Sequence, residues 1–255
     1  MTAERRIAAI TGASRGIGRA IAERLATDYD LVLCGRDGER LSQVAAEIGA
    51  LGHTPEILVA DLAVRDDLDR LAAALADRPV DVLVNNAGVA PAAPLERTDD
   101  ATWTTTLGIN LTAPFVLTRA VVPGMKARGF GRIVQIASTA ARKGYRFTAA
   151  YTASKAGLVG LCRALAIELA GTGITVNAVC PTFTETDIVE RAARDVAART
   201  GRSIDEAKRT FAGFSPLGRL LDPSEVAAAV AYLVSDEAAA VSGQALAIDG
   251  GETAG

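Results

Sequence analysis

Histidine is almost missing from this chain. His53 is the single example in 255 residues, and it sits in a turn-like connector, Gly52-His53-Thr54-Pro55. A Ser-His-Asp triad or a histidine-ligated zinc site therefore has little to be built from. Cysteine is scarce as well: Cys34, Cys162 and Cys180 are odd in number, far apart and set in apolar surroundings. That pattern excludes a disulfide framework or a thiolate metal cluster and fits a reducing compartment. There is no basic surplus, since the net charge is -3 and the pI about 5.4, so no nucleic-acid surface is expected. No apolar run approaches the roughly 20 residues that cross a bilayer, and residues 1–6 lack the apolar stretch of a signal peptide. A cytoplasmic protein with no membrane contact is the expectation. Repeats, low-complexity tracts and linkers are lacking too, so residues 1–255 are expected to form one domain around one large core.

What is present is a rhythm. Short apolar runs alternate with amphipathic stretches, as in a parallel sheet covered by helices on both faces. Strands are expected at 7–10, 31–34, 56–60, 81–84, 132–137, 173–179 and 245–248. Helices are expected at 16–26, 39–48, 65–76, 99–119, 149–170 and 223–235, the last entered through Asp222 as N-cap and Pro223 at the first helical position. Residues 182–214 break the rhythm. They are long, lack a strand and mix charges with Phe183, Phe211 and Phe214. An insertion after a strand's C-terminal end is where an α/β sheet places a lid over its ligand.

Between the first strand and first helix stands Thr11-Gly12-Ala13-Ser14-Arg15-Gly16-Ile17-Gly18. The spacing is Gly-x-x-x-Gly-x-Gly. Its glycines permit a tight turn and close backbone approach, and the helix N-terminus behind them suits a pyrophosphate. The second strand ends Cys34-Gly35-Arg36-Asp37. An acid at that tip would take the ribose hydroxyls of NAD, whereas Arg36, seconded by Arg15, suits a 2′-phosphate. NADP(H) is therefore preferred over NAD(H), a preference that weakens if Asp37 points inward and Arg36 outward. Asp61-Leu62 ends the third strand, where the acid can accept from an adenine amino group. Asn85-Asn86-Ala87-Gly88 ends the fourth, with small residues and amides suited to backbone closeness and bracing.

In Tyr151-Thr152-Ala153-Ser154-Lys155 the tyrosine and lysine are four apart, on one face of a helix. An ammonium beside a phenol favours the phenolate, which makes the pair a candidate general acid/base for hydroxyl/carbonyl interconversion.

Taken together these residues resemble the short-chain dehydrogenase/reductase family over nearly the whole chain. TGASRGIG (11–18), Asp61, NNAG (85–88), Asn110, Ser138, YTASK (151–155), GITVNAVCP (173–181) and AIDGG (247–251) stand in the family's order. The resemblance implies a Rossmann-type, doubly wound, seven-stranded parallel sheet of order 3-2-1-4-5-6-7. It implies that Tyr151 protonates a carbonyl oxygen as hydride arrives, that Lys155 holds the nicotinamide ribose and lowers the Tyr151 pKa, and that Ser138 bonds the substrate oxygen. Asn110 would hold a water linking Lys155 to solvent. The cofactor would also touch Gly12, Ser14, Arg15, Gly16, Ile17, Gly18, Arg36, Asp61, Leu62, Asn85, Ala87, Gly88, Pro181, Phe183 and Thr184. Tyr145 and Thr182 would join Ser138 and Tyr151 on the substrate. A homotetramer, or a homodimer, is the family's usual assembly. Two positions depart from the pattern: Thr182 stands where glycine commonly follows Pro181, and Gln135 where asparagine is frequent.

Residues 131–139 and 173–187 look most like bacterial 3-oxoacyl-thioester reductases and polyketide ketoreductases. That implies a β-keto thioester on acyl carrier protein or coenzyme A. Arg142 and Lys143 are candidates for a phosphate of that carrier group, and Lys126, Arg128 and Arg132 for a basic patch facing an acidic carrier. Tyr145, Phe147 and Phe183 equally suit an aromatic or alicyclic ketone. A non-catalytic NADP-binding sensor and an NAD-dependent alcohol dehydrogenase are the competing readings.

Overall fold

A computed structural model describes residues 5–50, 52 and 54–254. The connector expectation at His53 lies outside the described residues. Seven strands form one parallel sheet: β1 (Arg6–Thr11), β2 (Tyr29–Gly35), β3 (Glu56–Val59), β4 (Val80–Asn85), β5 (Gly131–Ile136), β6 (Ile174–Pro181) and β7 (Ala245–Ile248). Their order is β3-β2-β1-β4-β5-β6-β7, as the resemblance implied. The strands read as unbroken apolar runs because both faces are covered. Their side chains alternate between two cores. Ala8, Ile10, Leu31, Leu33, Val82 and Val84 face one side, with α1 (Gly16–Leu25), α2 (Gly38–Gly49) and α9 (Pro223–Val234). Ala9, Val32, Leu83, Ile133, Val176 and Ala178 face the other, with α3 (Arg65–Ala76), α5 (Ala113–Arg128) and α6 (Ala149–Glu168).

The helix expected at 99–119 is longer and less regular. It consists of α4 (Asp100–Leu107), one π-helical turn at Gly108–Thr112, and α5. The helix runs past the expected end at 119, carries Pro123 inside it and stops only at Gly129, in the left-handed conformation with φ 66°. Val116, Leu117, Val121 and Met125 are buried, and that packing outweighs the one backbone donor the proline lacks. The continuous helical stretch Asp100–Arg128 thus meets the length and composition of a membrane span, contrary to the expectation of no such run. Its packing against α3 and the sheet is that of a core helix. β6 also runs further than expected, through Pro181, because β7 pairs with it as far as Ile248.

Residues 182–214 contain no strand of their own. They form α7 (Asp187–Thr200) and α8 (Ile204–Ala212), and an isolated parallel bridge between Thr184 and Leu221 joins the start of the segment to the chain that follows it. Asp222 and Pro223 start α9 as the sequence indicates: Asp222 accepts from Ser224 N at 2.8 Å, and Glu225 reaches back to Asp222 N at 2.8 Å.

Candidate active site

All parallel strands point their C-terminal ends at one edge of the sheet, and the singled-out residues collect there. The turn after β1 is locked by its neighbours. Thr11 Oγ1 accepts from the backbone N–H groups of Asn86 and Ala87, each at 3.0 Å, and Asn86 Nδ2 donates to the Thr11 and Gly12 carbonyls at 2.9 and 3.2 Å. Gly12 has φ 67°, and a Cβ there would lie 2.9 Å from Asn86 Nδ2. At Gly18 a Cβ would lie 2.2 Å from the Gly12 carbonyl oxygen. The turn therefore admits no side chain at either position. α1 starts behind it with no side-chain cap and no acid in its first turn. Uncapped N–H groups at a helix N-terminus, fronted by bare backbone, make a seat for an anionic phosphate. Ala13 is buried in the core behind the turn, Ser14, Gly16 and Ile17 are half-buried along it, and Thr186 packs against Gly16, 3.1 Å from where a Cβ would stand.

At the end of β2, Asp37 is occupied. It caps α2 by accepting from Arg40 N at 3.1 Å. Arg36 is exposed, and Asp61 Oδ2 lies 3.8 Å away. Arg15 instead pairs with Asp187 at 2.8 Å, and Arg40, a residue the sequence reading did not single out, pairs with the same carboxylate at 3.4 Å. Asp61 accepts from Ala63 N at 3.0 Å. Leu62 packs on the core beside it. Asn85 turns inward, donating to Thr118 Oγ1 at 3.3 Å, while Ala87 and Gly88 border the open edge. The cradle fits a dinucleotide with a 2′-phosphate: the exposed Arg36 for the phosphate and the glycine turn for the pyrophosphate, with Arg15 able to join Arg36 only by leaving Asp187.

Deeper in, Ser138 follows β5, and α6 carries Tyr151 and Lys155 across from it. Lys155 Nζ donates to the Ile136 carbonyl at 2.7 Å and lies 5.9 Å from the centre of the Tyr151 ring. Gly88 packs between Asn110 and Lys155: a Cβ there would lie 3.2 Å from Asn110 Oδ1 and 3.5 Å from Lys155 Nζ. Asn110 sits in the π turn. Its Oδ1 accepts from Val89 N at 2.9 Å, and its Nδ2 donates to the Val89 carbonyl at 2.9 Å and to Ser154 Oγ at 3.0 Å. The side chain braces the turn after β4 against α6, so any water it holds would have to bond elsewhere on the residue.

Burial pushes the Tyr151 phenol above its ordinary value, and a hydrogen bond from Ser138 offsets part of that rise. Burial likewise pushes Lys155 down, to about 8. The expectation that the ammonium lowers the phenol does not describe this state, because desolvation is the larger effect on both groups. The neutral phenol is thus a proton donor here. Lys155 also gives a stability signature. The unfolded chain keeps this proton up to about 10.4, so between about pH 8 and 10.4 the unfolded state binds more protons and stability rises with pH. Relative to Lys155→Met, the wild-type chain is expected to gain about 2–3 kcal/mol over that window, read by urea unfolding across pH.

Of the substrate-side residues, Tyr145, Phe183 and Phe214 meet, with Tyr145 edge-on to both phenylalanines at 5.9 and 5.7 Å between centroids. Phe183 stacks on Phe211 at 5.0 Å. Phe147 stands apart, exposed, with φ 68°. Pro181 and Thr182 are buried at the end of β6; Thr184 is buried too, donating to the Thr182 carbonyl at 3.0 Å, which leaves Thr186 as the threonine against the glycine turn. The two basic clusters do not form as expected. Arg132 is buried against main-chain carbonyls, and Arg128 is bound to Asp81 and the Val80 carbonyl. Arg142 donates to the Ala245 carbonyl, and Lys143 pairs with Glu252. Glu252 and Thr186 were missed because each is one polar residue in a segment without periodicity; only the fold brings them to the site.

The chain matches the short chain dehydrogenase family over residues 6–197. It is 44% identical to a granaticin polyketide synthase putative ketoacyl reductase of Streptomyces violaceoruber, an alignment covering 98% of this chain and 94% of the relative. It is 39% identical to the 3-oxoacyl-(acyl-carrier-protein) reductase of Escherichia coli, covering 98% of both. Among solved structures, a variant of actinorhodin polyketide ketoreductase with NADPH superposes with a TM-score of 0.92 at 40% identity, covering 98% of this chain and 97% of that one.

Proposed function

Since the chain belongs to the short chain dehydrogenase family, and is thereby an oxidoreductase, we propose that it is an NADP(H)-dependent ketoreductase turning a 3-oxoacyl thioester or polyketide ketone into a secondary alcohol. The observation that carries this is the convergence of Ser138, Tyr151 and Lys155 at the sheet edge, beside a phosphate cradle flanked by Arg36 and Arg15. NADPH, when bound, supplies the hydride. Ser138 holds the substrate's carbonyl oxygen against Tyr151. The phenol gives its proton to that oxygen as charge develops there, and its burial keeps the proton on the phenol until then. Lys155, anchored on the Ile136 carbonyl, places its ammonium beside the phenol that must be re-protonated. Asn110 keeps the turn after β4 and the helix carrying Tyr151 in register.

The relatives' names and the NADPH in a similar structure support the cofactor and the substrate class. The aromatic set Tyr145, Phe183 and Phe214 favours a second substrate reading, an aromatic or alicyclic ketone. Residues 182–214 act as the lid in either reading. A cytoplasmic homotetramer is the assembly we attach to it; exposed apolar Ile167 on α6 and Tyr232 on α9 offer faces for that. The test is oxidation of NADPH and of NADH against acetoacetyl thioesters and aryl ketones. NADPH is expected to be preferred in kcat/KM, and Arg36→Ala is expected to cut that preference at least about tenfold, the worth of one charge-assisted contact. An intrinsic preference for NADH would refute the cofactor assignment. Turnover of aryl ketones alone would refute the thioester.

A further inference from the structure

Glu252 lies four residues beyond the last strand, yet its side chain is only 1% exposed. A buried carboxylate needs partners, and this one has three, from two other loops. It accepts from the Tyr145 hydroxyl and from the Thr182 hydroxyl, and it pairs with Lys143 Nζ at 2.8 Å. Thr182 is the residue that replaces a glycine in the family's usual pattern. Tyr145 in turn shares a 2.7 Å hydrogen bond with Thr139, the neighbour of Ser138. Burial and the Glu252 carboxylate both raise the Tyr145 phenol, so it stays a neutral donor.

The segment that delivers Glu252 is itself built. Asp249 is buried, accepts from Gly251 N at 2.9 Å and from Thr253 N and Oγ1 at 2.9 and 2.7 Å, and its carbonyl takes a 2.8 Å bond from Ser215 at the foot of the lid segment. The C-terminal turn, the loop after β5 and the loop after β6 are thereby joined through one carboxylate. What they hold in place is the Tyr145 ring, whose edges meet Phe183 and Phe214.

We propose that Glu252 is a positioning residue for substrate specificity: it fixes Tyr145 and Thr182 as one wall of the pocket, so that the aromatic shelf of Tyr145, Phe183 and Phe214 receives the flat, cyclic part of a ketone substrate. This rests on the ketoreductase reading and deepens it. With Glu252 removed, the buried Thr182 hydroxyl, the half-buried Tyr145 hydroxyl and the Lys143 ammonium lose this acceptor, Tyr145 is held by Thr139 alone, and its ring is freer to leave the shelf. The hydride and proton-transfer groups do not touch Glu252, so binding of cyclic ketones should suffer while chemistry does not.

The full chain is compared as wild type, Glu252→Ala and Glu252→Gln, with 1-tetralone and acetoacetyl-coenzyme A as probes. Ketone binding to the NADP⁺ complex is read by calorimetry, and KM and kcat by NADPH oxidation. Glu252→Ala is expected to weaken 1-tetralone binding, and raise its KM, roughly tenfold or more, the cost of buried hydroxyls left unpaired. Its kcat and its NADPH dissociation constant should stay within about threefold, and acetoacetyl-coenzyme A should be affected less. Glu252→Gln, which still accepts from the hydroxyls, should restore most of the binding. Unchanged 1-tetralone binding in Glu252→Ala would overturn the proposal. So would an equal loss of NADPH binding with a lowered Tm, which would make the residue merely structural, or a wild-type chain that binds no 1-tetralone. Wild type that binds the ketone without reducing it would sink the ketoreductase reading and leave the shelf standing.

Discussion

Tyr151→Phe is expected to lose about a thousandfold in kcat for ketone reduction, within the span a positioned general acid supplies. The ring stays and only the hydroxyl goes. Phenylalanine fills the same volume, so neither the fold nor the phosphate cradle is disturbed, and the NADPH dissociation constant is expected to change by less than about twofold. The loss falls on kcat because the missing proton is needed only as the carbonyl oxygen gains charge. Tyr145→Phe is the control: it removes another phenol from the same pocket, one that donates to Glu252 rather than to a substrate oxygen, and its kcat loss should be at least an order of magnitude smaller than that of Tyr151→Phe. Stopped-flow NADPH oxidation at saturating ketone measures both. Equal losses in the two variants would take the role of proton donor away from Tyr151.

The second large effect is expected at Gly18. An alanine methyl there meets the Gly12 carbonyl oxygen at 2.2 Å and Asn86 Nδ2 at 2.4 Å. The first is backbone, and the second is bound to the Thr11 and Gly12 carbonyls. Neither moves without opening the β1–α1 turn. Gly18→Ala is expected to cost about 3 kcal/mol in stability, at the upper end of overpacking by a single group, and to weaken NADPH at least about a hundredfold because the displaced turn is the phosphate seat. Gly144→Ala, whose added methyl meets nothing within 4 Å and whose φ is outside the left-handed region, should be neutral by both measures. Thermal unfolding with and without NADPH reads the two quantities separately.

The sheet was legible because its physics is local. Runs such as Leu31-Val32-Leu33-Cys34 are buried on both faces and read as strands without help from the rest of the chain. The glycine turn was legible for a similar reason, since a glycine just after a strand and two more in the first turn of the following helix leave few alternatives. Helix ends were harder. The helix expected to end at 119 runs on through Pro123-Gly124, and the packing of Val121 and Met125 carries α5 to Arg128. Charge partners were hidden altogether. That Asp187 holds Arg15 across 172 residues, that Lys143 is spent on Glu252, and that Arg132 is buried are outcomes of tertiary proximity, and no spacing encodes them. The direction of the Tyr151 shift belongs with these: the lysine one helical turn away is visible in sequence, but the burial that outweighs it is not.

The most direct measurement follows a deuteride. Incubating the enzyme with NADPH carrying deuterium at the transferable C4 position and an acetoacetyl thioester, then taking the NMR spectrum of the product, reports whether hydride passes from this cofactor to this class of ketone. The expected result is deuterium on the carbinol carbon of a 3-hydroxyacyl thioester, in a single configuration, and none with Tyr151→Phe over the same time. NADPH bound at the glycine turn with no deuterium reaching any ketone tested would contradict it.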